Sequence, residues 1–160
     1  YIGAVLLVFT SDQWLSDYYW NNINDTDSPF LVFLNHTKLI DKSFYGNQYV
    51  YYIGAYVPHE DRYFEISEED LKKEWFDYLK KIKPEFEENE IKQSYVFKFK
   101  NAQHIVDQGY AQKIVDYKTP IENVYLSNFA QIYPYDRGTN YAVEEGDKIA
   151  ELIHNDFQND

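Results

Sequence analysis

The chain has 160 residues and a formal net charge of −12, with 44% hydrophobic residues and no cysteine. That length suits one domain, and the charge argues against duplex DNA, RNA or an anionic membrane surface as partner. The lack of cysteine removes disulfides, thiol nucleophiles and cysteine-based metal sites, and fits a reducing, cytoplasmic setting. No apolar run approaches the roughly 18 residues that suggest a membrane span, and no signal peptide is recognisable at the start. Position 1 is tyrosine and methionine is absent throughout. The expectation is therefore a segment of a longer protein, or a processed chain. Tyrosine occurs 17 times, and most of these rings suit strands and core faces.

Tyr1 to Phe9 reads as a central strand ended by Thr10-Ser11-Asp12. Gln13 to Trp20 is ambiguous, with a short strand as one option, and Asn21 to Pro29 has the composition of a loop. Phe30 to Leu34 is strand-like. Gly46-Asn47 forms a turn feeding a tyrosine-rich strand, Gln48 to Tyr56. Ser67-Glu68-Glu69-Asp70 is a helix start: the serine accepts from the third helical N–H, and carboxylates suit the positive end. Leu71, Trp75, Tyr78, Leu79 and Ile82 then make one apolar stripe, stopped at Pro84. Ile91 to Lys100 alternates as a half-buried strand does, with Tyr95, Phe97 and Phe99 on one side. Asn101 to Lys118 is irregular, with a turn at Gly109, and Thr119-Pro120-Ile121 leads into a last short strand, Val124 to Leu126. The sum is an α+β fold with a mixed, largely antiparallel sheet covered by helices. Residues 1–118 form the sheet region and 119–160 a strand–loop–helix, packed together as one domain.

The closing helix carries a pattern of its own. Gly138, Ala142, Gly146 and Ala150 recur every fourth residue and lie along one ridge. Gly146 in a helix interior costs about 1 kcal/mol relative to alanine, so the spacing by itself predicts a helix pressed closely on a sheet. The first N–H groups of this helix carry a partial positive charge suited to an anion or an electron-rich ring edge. His36, His59, His104 and His154 are scattered, with no metal-ligand spacing, so no metal site is expected. A G-x-S-x-G elbow, a P-loop and a G-x-G-x-x-G turn are all absent, and no catalytic residue is identifiable.

Asn123 to Ala150 resembles the C-terminal signature of the FAD-dependent oxidoreductases that include flavin amine oxidases, protoporphyrinogen oxidase and UDP-galactopyranose mutase. The matching residues are Gly138, Asn140, Ala142 and Gly146, preceded by Ala130-Gln131-Ile132-Tyr133-Pro134 and Asp136-Arg137. Upstream, Tyr1-Ile2-Gly3-Ala4-Val5, Phe30-Leu31-Val32-Phe33, His36-Thr37, Tyr56-Val57-Pro58 and the Ser67 helix are similar to the substrate domain inserted in such enzymes. The resemblance implies that an N-terminal Rossmann half, absent here, clamps the nucleotide, while this segment supplies a substrate-binding sheet. It further implies that main-chain N–H groups of Thr139, Asn140 and Tyr141, beside Gly138 and Ala142, face the flavin pyrimidine edge. A helix N-terminus there stabilises the negative charge of reduced flavin.

Relatives keep a glycine and an acidic residue after the last strand, where this chain has Ser127 and Asn128. Asn128 is accordingly expected to meet a flavin hydroxyl, and Arg137 the charge of cofactor or substrate. Tyr133 and Tyr135 are the candidates bordering the flavin on the substrate side. The implied partners are a small-molecule substrate and the Rossmann half, with no nucleic acid or membrane. The isolated segment is expected to hold FAD weakly or not at all. The face left by the missing half favours self-association. The alternatives are a mutase-like flavoenzyme acting on a nucleotide sugar and a stand-alone binding module without catalysis.

Overall fold

A computed structural model describes residues 1–158. The chain divides into two compact units, Tyr1–Ile105 and Val106–Asp160, so residues 106–118 belong with the closing helix.

The first unit is built on β1 (Ile2–Ser11), whose run of apolar side chains serves both faces of a sheet. The other strands are β2 (Trp20–Asn22), β3 (Val32–Asn35), β4 (Tyr49–Val57) and β5 (Ile91–Gln103). Their order is β2-β3-β4-β1-β5. Every pairing is antiparallel, in keeping with the expected α+β fold and its largely antiparallel sheet. Register places Leu7 opposite Ile53 and Phe9 opposite Tyr51, so one pleat face gathers Val5, Leu7, Phe9, Phe33, Tyr51 and Ile53, all fully buried.

The helix α1 (Glu68–Ile82) closes that face. The Ser67 side chain accepts from the Asp70 N–H at 3.0 Å, as its spacing predicts. Leu71, Trp75, Tyr78 and Leu79 point inward, joined by Phe76, which the stripe omitted. Phe76 meets Phe9 edge-on at 5.4 Å, and Trp75 meets Phe30 at 5.7 Å. Burying each such side chain contributes about 1.5–3 kcal/mol.

The short strand lies at Trp20–Asn22, largely inside the stretch expected to be a loop, and Gln13 to Tyr19 is irregular. The cause is a tertiary contact. Tyr51 Oη donates to the Gln13 carbonyl at 2.7 Å and accepts from the Leu15 N–H at 2.9 Å, which takes these backbone groups away from any ladder.

In the second unit the expected strand Val124 to Leu126 does not form; a single antiparallel bridge joins Tyr125 to Lys118. Asn123 adopts φ 60° and the Val124 N–H returns to the Ile121 carbonyl, so the chain turns too tightly to extend. Gln131 organises the loop that follows. Its Oε1 accepts from the Asn128 N–H at 2.8 Å, and its Nε2 donates to the carbonyls of Leu126 and Val115 at 3.1 and 3.3 Å. The Tyr133–Pro134 peptide is cis. The closing helix α2 spans Thr139–Gln158, as expected from Gly138 onward.

Candidate functional site

The residues expected to meet a cofactor cluster where α2 begins. Its first ladder bond runs from the Ala142 N–H to the Gly138 carbonyl at 3.0 Å, so the amides of Thr139, Asn140 and Tyr141 are not consumed by the helix. A Cβ on Gly138 would lie 2.5 Å from Asn140 Oδ1, the end of an exposed side chain that can turn away, and otherwise no closer than 3.5 Å to the Tyr141 ring. Thr139, Asn140 and Ala142 are exposed; Arg137, Gly138 and Tyr141 are half-buried. Tyr141 stacks on Tyr135 at 5.1 Å and 17°, and Tyr133 packs on Tyr110 at 5.5 Å. The Arg137 N–H donates to its neighbour Asp136 at 2.7 Å.

Asn128 and Ala142 line one groove of about 190 Å³ together with Ser127, Phe129 and Glu145. That volume is below the roughly 300 Å³ at which a whole ligand is enclosed, so the groove fits only the edge of one. The Asn128 side chain is already engaged within the protein. It accepts from the Ala130 N–H at 2.8 Å and caps the turn Phe129–Gln131.

Sequence reasoning missed Glu145, which is only 7% exposed. Burial raises its pKa, but hydrogen bonds from Tyr117 and Lys148, with the lysine charge, outweigh that and hold it below the usual value. Lys148 Nζ lies 2.9 Å from Glu145 Oε1, and the Tyr117 hydroxyl donates to Oε2. An ionised carboxylate in the groove favours hydroxyl or imide N–H donors and opposes a phosphate. The only sequence signal was an acidic pair, Glu144-Glu145, that reads like any solvated face.

The small-residue ridge is a correction. From spacing alone it was to press against a sheet, yet Ala142, Gly146 and Ala150 are exposed, and a Cβ on Gly146 would meet nothing within 4 Å. Ile132 is the one buried hydrophobic residue among the described residues of this unit. Ile121, Val143 and Phe157 are all more than 60% exposed. The unit holds instead through polar ties, such as Tyr125 Oη to Asp156 at 2.7 Å and Lys118 Nζ to Asp156 at 2.6 Å.

The sheet of the first unit offers a second surface, on the face opposite α1. Trp20, Leu34, Tyr52, Val8 and Tyr95 follow one another across the strands, and Asn22, Val32, Gly54, Leu6 and Phe97 form the next row. Tyr56, Ala4 and Phe99 make a third. Tyr95, Phe97 and Phe99 therefore alternate as expected but lie on the open side, each about half exposed. A groove of about 280 Å³ runs over Leu6, Val32, Leu34 and Gly54 beside Trp20. A larger hollow, about 570 Å³ around Ile2, His59 and Asn101, contains none of the expected site residues. No group of three metal-ligating side chains occurs among the described residues, and no described helix is long and apolar enough to cross a membrane. Comparison with the models of known protein families, with curated proteins and with solved structures finds no match.

Proposed function

We propose that this chain is the substrate-side sheet and flavin-facing helix of a FAD-dependent oxidoreductase of the amine oxidase and protoporphyrinogen oxidase type, working in the cytoplasm. The observation that carries the proposal is the unsatisfied second unit. Its helix exposes a ridge of small residues made for close approach, while Ile132 is the one buried hydrophobic residue among the described residues of the unit and side chains such as Ile114, Ile149, Leu152 and Ile153 are only half-buried. A Rossmann half seated on that ridge would supply the missing core and the nucleotide clamp.

The residues at the head of α2 fit a flavin edge better than a diphosphate. Unconsumed amides at Thr139 to Tyr141 suit the electron-rich pyrimidine carbonyls. The Glu145 carboxylate suits a neighbouring hydroxyl or imide N–H and leaves phosphates to the other half. FAD, when bound, supplies the two-electron redox chemistry. The residues of this chain contribute orientation, the helix field and the stacked Tyr135–Tyr141 wall, and the open sheet face of the first unit holds the substrate.

The test is expression of the complete reading frame with and without its upstream part. The complete protein is expected to purify with visible flavin absorbance and to lose it on Gly138→Leu, and this chain alone to remain colourless. A complete protein that stays colourless with added FAD, or a reading frame without a dinucleotide-binding half, would overturn the proposal.

A further inference from the structure

We draw no further inference here: the strongest candidate, the open face of the five-stranded sheet on which Tyr95, Phe97 and Phe99 lie about half exposed, carries nothing because nothing in the structure shows what covers it.

Discussion

The hydroxyl of Tyr51, inside the core on β4, holds the buried N–H of Leu15 at 2.9 Å. The same oxygen donates to the Gln13 carbonyl at 2.7 Å, so one side chain pins a segment without regular structure against the sheet. Burial pushes the Tyr51 pKa well above that of free tyrosine, so the bond persists over the whole working pH range. Tyr51→Phe keeps the ring and strands the Leu15 N–H. It should cost about 1–3 kcal/mol, measured as a lowered urea midpoint with an unchanged slope.

Ser67 is the cap of α1, and Ser67→Ala should cost about 1 kcal/mol by the same measurement. Ser67→Thr should restore most of that loss, because its hydroxyl can accept the same Asp70 N–H and still donate to the Asp70 carboxylate, as the serine does at 2.8 Å.

Glu74 gives the first unit an acid limb. Burial raises its pKa, but hydrogen bonds from Arg62, at 2.6 Å, and from Tyr63, at 2.6 Å, bring it below the ordinary 4.5. A depressed folded pKa means that the contribution is complete above about pH 4.5 and is lost as pH falls through the lower folded value. Tyr63 behaves oppositely. Burial, then its bond to Glu74, pushes its pKa from 10.0 to about 12, so its contribution is complete below 10 and lost on the way to 12. Denaturation midpoints against pH should show both limbs, and Glu74→Gln should flatten the acid one.

Gly146 separates the chain alone from the chain with a partner. Nothing lies within 4 Å of a Cβ there. Gly146→Ala should therefore stabilise α2 by about 1 kcal/mol, seen as greater helicity and a higher unfolding temperature. Gly146→Leu should be equally harmless to the isolated chain but should block association with a Rossmann half and the retention of flavin. If both variants leave flavin retention in the complete protein untouched, the ridge is not a contact surface.

Local patterns settled much of this molecule. The apolar run of β1, the tyrosine-rich β4, the Ser67 cap with its stripe, and the helix after Gly138 follow from side-chain periodicity and capping chemistry, which act within a few residues. Other features needed partners far along the chain. Gln13 to Tyr19 stayed irregular because Tyr51 claimed its backbone, and Trp20–Asn22 became a strand by pairing with Val32 to Leu34. Val124 to Leu126 failed to become one because the turn at Asn123 left it a single bridge. Glu145 became a buried groove carboxylate only because Tyr117 and Lys148 converge on it. Alternation in β5 predicted two faces but not which would stay open. That depended on where α1 packed, since a period of two fixes the difference between faces and only tertiary contact assigns one of them to the core.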